Sequence, residues 1–567
     1  MKTLTLLTLL MAPCGVAATQ EKSPDKPLQG DAAKCGSEIP WTTALAAAQA
    51  RAKETGRPIC WWVPTLAGSP MDRKLVVEKY MLAGPFMMPG VVELLNERFV
   101  PLRLAGTPAH AREYGLAPLD FIEPGLVFLD ADLRVIHKAD RISTFSEEWF
   151  VRLLRGVLEK TGMGVEAKRT ERSPPRAAIE AGKPDPELFK GLEGGEARYF
   201  HGVALHLVGR DEEGRAEWRK IKDGRWAWKA AAELARDGPF VRGFEVYESL
   251  PPEAPAGLAT GTTLPAKEAD IGRAVRFLLQ TQRGSGAWDE SHYNFGGDDS
   301  LPNVYMAVTA LCALALRERG EPATVKDALV RAEKYMKDES KIASEDSDEI
   351  AWAYAYRLLY FARSGDKAVM ATLVRKLGVL QRPTGTWFHE YDNPFVTATV
   401  LHALDEAKKA GAEVPEAMVR KGAAALQSTR DRKGVFSYDF PGRGGAVQGG
   451  AGRMPLLEFA LHLSGLSTKE ALAASLETSF KHHPLLERVR KYDDHADVHR
   501  NGGFFFWYDQ HGRALAAKAA GLDAALARQR EIVLSIAEID GCWVDSHELG
   551  RPYGTAMALL TLKLCGN

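Results

Sequence analysis

Five histidines in the C-terminal half of the chain stand in strings with acidic side chains or tyrosines: His292, His389, His495, His499 and His547. A histidine beside a carboxylate can move a proton near neutral pH or ligate a metal. His389 or His495, with Asp392 or Asp494, are the candidate acid–base groups. Tyr391, Asp493, His499, Asp545, His547 and Arg551 lie in the same strings and are candidate binding groups. Asp493, His495 and His499 could also supply part of a zinc or iron site, because imidazole and carboxylate serve both metals. Aspartate before a helix is an ordinary N-cap, and Asp299, Asp348 and Asp392 suit that role. Capping leaves the histidines unexplained.

Helices must carry these strings. Six helical patterns, at 270–281, 325–337, 367–380, 416–428, 469–490 and 522–537, alternate with six more at 303–319, 349–364, 395–410, 454–466, 504–519 and 554–564. The second set is apolar on several faces, as buried helices are, and is assigned to an inner ring. Alternation of this kind closes into a double ring of twelve helices, (α/α)6. Between the two sets comes a glycine followed by an aromatic, at Gly286 and Trp288, Gly385 and Trp387, Gly434 and Phe436, and Gly541 and Trp543. The aromatics fall close to two, one and two units of about 50 residues apart, which marks one repeated supersecondary unit. Gln280, Gln381 and Gln427 precede three of them and can bond free backbone groups at helix ends. The candidate site strings all follow a joint and precede an inner helix. They therefore gather at one rim, a concave place where ligands bind. Trp352, Tyr354, Tyr356 and the aromatics of 504–508 lie on inner helices, where they line a ligand or pack as core.

The glutamine and Gly-x-Trp phrases resemble the QW repeats of squalene and terpenoid cyclases and the related toroids of protein prenyltransferase β subunits, over residues 267–567. The resemblance implies an (α/α)6 toroid in which Trp288, Trp387 and Trp543 pack the joints. It does not carry the chemistry across. The Asp-x-Asp-Asp string with which cyclases protonate an alkene is absent. Cys542 follows Asp540 and Gly541, as in part of a prenyltransferase zinc set, but it is the middle residue of a joint.

The N-terminal half alternates strand and helix patterns, which indicates an α/β domain. Residues 52–58 (Ala-Lys-Glu-Thr-Gly-Arg-Pro), 95–100 (Leu-Asn-Glu-Arg-Phe-Val) and 123–130 (Glu-Pro-Gly-Leu-Val-Phe-Leu-Asp) resemble the thioredoxin superfamily. That resemblance places Pro124 at the family's cis-proline. Where the family carries Cys-x-x-Cys, residues 64–70 hold no cysteine. Thiol exchange needs an attacking thiolate and a resolving partner, so a redox-inactive module is expected. Tyr199, Trp218 and Trp226 lie in helical patterns that resemble a tetratricopeptide-type hairpin, which alone cannot bury its own face. The expected organisation is multidomain: signal peptide 1–18, thioredoxin-like domain 41–160, linker 161–195, helical segment 196–250, linker 251–266 and toroid 267–567.

Lys2, the apolar run 3–11 and the small residues 15–18 read as an export signal, leading to a periplasmic or extracellular location. Cys14 could carry a lipid anchor, but Pro13 before it departs from that pattern. No later segment reaches membrane-spanning length. The five cysteines beyond Cys14 are too scattered to form a disulfide framework. A net charge of -1 over 567 residues argues against bulk attraction to nucleic acid. The expected function is a ligand-binding or scaffold module whose rim takes a small-molecule, lipid or protein ligand. The alternatives are an enzyme acting on an isoprenoid, lipid or other polar-headed substrate through rim His and Asp residues, and a carbohydrate-active (α/α)6 enzyme with paired carboxylates.

Overall fold

The computed structural model describes residues 28–67, 81–117, 120–121, 125–140, 147–164, 173–180, 184–208, 210–235, 268–291, 300–490, 495, 497–537, 542–544, 546 and 549–566. The export signal, Pro124 and part of the stretch 64–70 lie outside them.

Near the N-terminus the helix Leu45–Thr55 leads into strand β1 (Ile59–Val63), and the helix Pro89–Arg98 leads into β2 (Val100–Arg103). Strands β3 (Gly125–Leu129) and β4 (Val135–Ala139) follow, then the helix Glu147–Lys160. The sheet order is β2-β1-β3-β4, with β1 parallel to β2 and the other pairs antiparallel. Every residue of β1 is buried because both sheet faces are covered. Ile59, Trp61 and Val63 pack with Ala48 and Ala52 on one face, while Cys60 and Trp62 pack with Val91, Leu95 and Phe150 on the other.

Three helices follow, Gly195–Leu207, Asp211–Arg219 and Gly224–Leu234. Tyr199, Phe200 and Trp218 from them share one core with Trp62 and Phe86 of the sheet domain. Lys229 Nζ donates to the Ala83 carbonyl at 2.5 Å, and Tyr199 OH donates to Glu233 Oε1 at 2.6 Å. Part of the expected linker 161–195 is ordered instead. It holds the helix Pro174–Glu180, and the buried Arg176 pairs with the buried Glu147. A buried ion pair of this kind ties the segment to the sheet domain, which a Pro- and Arg-rich composition alone does not reveal.

The C-terminal half is a closed ring. The inner helices are Leu301–Arg319, Ile350–Ser364, Pro394–Lys409, Met454–Leu463, Phe506–Ala520 and Gly550–Leu564. Each packs on the next, and the last packs on the first. Outside lie Glu268–Thr281, Pro322–Lys337, Lys367–Leu380, Glu416–Ser428, Lys469–Lys481 with His483–Val489, and Asp523–Ser535. The fifth outer pattern is thus two helices rather than one. Pro484 opens the second, where its missing N–H costs nothing but a continuing helix would clash. The seam closes through Arg551 Nε to Glu290 Oε1 at 2.6 Å and Ser291 Oγ to the Leu549 carbonyl at 2.8 Å.

Three joints repeat one geometry. The indole Nε1 of Trp288, Trp387 and Trp543 donates at 2.8 Å to the carbonyl of Leu278, Leu377 and Val533, each near the end of the preceding outer helix. Their backbone N–H groups donate at 3.1 Å to Thr309, Thr397 and Thr555 of the following inner helix. Gln381 Nε2 bridges the Gly385 and Met418 carbonyls, and Gln282 Nε2 bridges those of Gly286 and Ala328. The bridging glutamine of the first joint is therefore Gln282, not Gln280, because only the residue four before the glycine reaches both carbonyls. In the Phe436 joint that place belongs to Arg430, not Gln427, and its Nε donates to Glu458 at 2.7 Å. Gly385 has φ +101, and a Cβ there would stand 2.5 Å from the Lys421 carbonyl, so the turn needs glycine.

Candidate functional site

The third inner helix is preceded by a tight hairpin of β5 (Trp387–His389) and β6 (Tyr391–Asn393). Glu390 turns it with φ +58, an unusual conformation for a residue with a Cβ. Its N–H donates to Asp348 Oδ1 at 3.2 Å, which holds the turn against the preceding inner helix. Asn393, not Asp392, caps the helix that follows, accepting from Phe395 N at 2.8 Å and Val396 N at 3.2 Å.

This hairpin delivers His389 to the start of the helix Ile350–Ser364. Its Nδ1 stands 3.2 Å from Oε1 of the buried Glu349 and 3.3 Å from the Asp348 carbonyl. Burial pulls the imidazole down, but the Glu349 carboxylate, helped by Glu390 and the Asp348 carbonyl, lifts His389 to about 9. The ring is thus an imidazolium at neutral pH. Its Nε2 has no hydrogen-bond partner among the described residues.

Aromatic side chains continue from this pair. Trp352 meets His389 edge-on at 5.9 Å and Tyr508 edge-on at 5.8 Å, and stacks on Tyr356 at 5.9 Å. Tyr508 OH donates to the Phe395 carbonyl at 3.0 Å. Phe395 meets Tyr438 at 5.1 Å and Phe505 at 5.6 Å, and Tyr438 meets Tyr391 at 5.9 Å. Tyr508 and Phe395 are buried, while Trp352, Tyr391, Tyr438 and Phe505 in front of them remain half-buried. Burial pushes the Tyr356, Tyr391 and Tyr508 phenols up, so each stays protonated.

At the far end stands His495. Asp497 Oδ1 accepts from His499 N at 2.9 Å and Asn501 N at 2.8 Å, which folds the loop. The loop brings the Arg500 carbonyl to 2.7 Å from His495 Nδ1. That carbonyl assigns the proton to Nδ1, leaving Nε2 as the acceptor for Tyr438 OH at 3.3 Å.

The rim therefore brings His389, Tyr391 and His495 onto one aromatic surface, with a Glu349 partner that spacing did not suggest. Asp392 is turned away, paired with Arg382 Nε at 3.3 Å and Thr384 Oγ1 at 2.7 Å. Strand alternation sets it on the opposite face from His389. Asp348 receives the Glu390 N–H and does not cap its helix, whose N-cap is Glu349 without a side-chain cap bond; Asp346 folds the turn before it, accepting from Asp348 N at 3.0 Å. His499 lies against Gly449 with its carbonyl facing that glycine. Arg551 belongs to the ring seam and its Glu290 pair rather than to this surface. Asp493, Asp494, Asp545 and His547 lie outside the described residues. Among the described residues no three His, Cys, Asp or Glu side chains form a metal-binding group. The residue that spacing missed is Glu349. Glu349 had one signal, its place three residues before Trp352 and so on the same helix face.

No family model matches the chain, and no curated protein matches it. Among solved structures, the type II terpene cyclase MstE from Scytonema is similar at 17% identity, covering 52% of this chain and 96% of that one, with a TM-score of 0.36. A possible member of the GH105 family from Klebsiella pneumoniae is similar at 13% identity, covering 56% of this chain and 98% of that one, with a TM-score of 0.35. The closed ring stands on its own helix contacts.

Proposed function

We propose that the toroid is a ligand-binding module whose rim takes a small, largely apolar molecule carrying a polar group. The observation that carries this reading is the row of half-buried aromatics from Trp352 to Phe505 with an imidazolium at one end. Aromatic surface supplies apolar contact area, and a few convergent polar groups orient what binds. His389 Nε2–H is the donor for an oxygen of the ligand. Among the described residues, the rim carboxylates Glu349 and Asp392 each face a cation, which lends a paired-carboxylate hydrolase no support. The test is titration of the full chain with 1-dodecanol, read by tryptophan fluorescence. Saturable binding that Trp352→Ala abolishes supports the reading, and absence of saturable binding overturns it.

A second reading, proton donation from His389 Nε2 to a bound substrate, is favoured by the strained Glu390 turn. Strain of this kind persists only where surrounding contacts over-determine it, and it clusters at functional sites. In that case Glu349 returns the proton-binding power that His389 needs.

For the N-terminal half we propose a redox-inactive thioredoxin-like domain, with the three-helix segment as its tetratricopeptide-like extension. The strand order β2-β1-β3-β4, with one parallel pair, supports the fold. Cys60 lies buried within β1, and burial pushes its thiol up, away from the reactive thiolate. Export, with cleavage near residue 18, remains our proposal for the location. Among the described residues no helix is long and apolar enough to cross a membrane.

A further inference from the structure

Arg453 is the cation of this rim that the reading above leaves unused. Only 7% of the residue is exposed. Its guanidinium carbon lies 4.9 Å from the ring centre of Phe395, 5.1 Å from Phe505 and 5.3 Å from Tyr438. Aromatic faces attract a cation through their quadrupole, yet they bring no net negative charge. The one hydrogen bond of its side chain among the described residues runs from Nη2 to the Gly449 carbonyl. A guanidinium has five N–H donors. No described carboxylate lies within ion-pair distance, although buried arginines are ordinarily paired.

The chain has the means to pair it. Asp509 is buried close by on the next inner helix, and its Oδ1 has no hydrogen-bond partner. It lies beyond ion-pair distance of Arg453, whose charge still pulls the Asp509 carboxyl down against the rise that burial imposes. The charge is thus held at the surface of Phe395, Tyr438 and Phe505 and left open to an anion from outside. Arg453 also precedes the helix Met454–Leu463, whose N-terminal end adds partial positive charge at the same place.

We infer that Arg453 is an oxyanion-recognising group of the rim, and that the ligand class is an amphiphile bearing a carboxylate or phosphate on an apolar body. The inference rests on the aromatic rim being a binding surface. The planar fork of arginine binds two oxygens of either group at once, and both oxyanions share that chemistry. The apolar body lies along Tyr438, Phe505 and the aromatics toward Trp352, while His389 marks the other end.

The test compares three twelve-carbon probes, laurate, dodecyl phosphate and 1-dodecanol, below their aggregation limits, on the full chain. At low salt the wild type should bind at least one of the anions about tenfold or more tighter than the alcohol. Preference for laurate assigns a carboxylate ligand, and preference for dodecyl phosphate assigns a phosphate. Arg453→Gln should bring the anions to the affinity that the alcohol shows on the same variant. Arg453→Lys should keep part of the preference. Equal binding of all three probes by the wild type overturns the inference, as does an undiminished anion preference in a folded Arg453→Gln protein. If the alcohol binds and the anions gain nothing, this inference alone falls. If the alcohol itself shows no saturable binding, the reading of the aromatic rim falls, and this inference with it. Should Arg453→Gln fail to fold, the wild-type comparison and Arg453→Lys still decide.

Discussion

The imidazole Nδ1 of His389 stands 3.2 Å from Oε1 of Glu349, joining the hairpin before one inner helix to the N-cap of the preceding one. The pair is a clamp between neighbouring repeats and holds the imidazole protonated at neutral pH.

Its pH dependence follows from the direction of the shift. His389 is lifted from 6.5 to about 9 in the folded chain, because burial, which pulls the ring down, is overcome by Glu349 together with Glu390 and the Asp348 carbonyl. A group raised on folding contributes its full stabilisation below its unfolded value and loses it as pH rises through the folded one. Stability should therefore decline between about pH 6.5 and about pH 9, measured by denaturant unfolding across that window. Glu349→Gln should remove this decline and drop the His389 titration followed by NMR. A His389 titration unmoved in the variant would dissolve the pair as a functional unit.

The joints carry stability. Trp387 is fully buried and donates its indole N–H to Leu377. Trp387→Ala should cost roughly 3–5 kcal/mol, the usual loss for a large buried aromatic. Chemical denaturation measures this directly. A midpoint shift within error would mean that the joint does not hold the repeats together.

The Glu390 turn stores strain. Its φ of +58 is favoured by glycine, and its backbone bond to Asp348 survives loss of the side chain. Glu390→Gly should therefore stabilise the chain by about 1 kcal/mol, the low end of the roughly 1–2 kcal/mol that left-handed backbone costs a residue with a Cβ. A fall in melting temperature would show that the Glu390 side chain contributes more than its backbone costs.

The sheet domain should be inert toward disulfides. Cys35 and Cys60 are buried, and burial lifts both thiols, Cys35 to about 12. Purified protein should not accelerate insulin reduction by dithiothreitol. A rate near that of a working thioredoxin would place a reactive thiol where neither spacing nor geometry puts one.

Much of the architecture was legible in the residues alone. The outer and inner helices follow from local periodicity, and most of their bounds move by only a few residues in the structure. The Gly-x-Trp joints were equally plain, since a left-handed glycine followed by a buried aromatic is a local signature. Local signals failed where two segments meet. Gln280 and Gln282 are equivalent by composition, and only the distance from Gly286 across to Ala328 selects the second. Pairing His389 with Asp392 follows from nearness in the chain, but strand alternation sends the two side chains to opposite faces. The carboxylate that reaches His389 comes from the neighbouring repeat, because ring closure brings Glu349 to it. Arg453 gave no sign at all, since an arginine before a helix is ordinary until three aromatic rings from other segments surround it. Periodicity and turn chemistry act within one segment and can be read along the chain. Partners across a ring are set by packing between segments, and only the tertiary structure decides them.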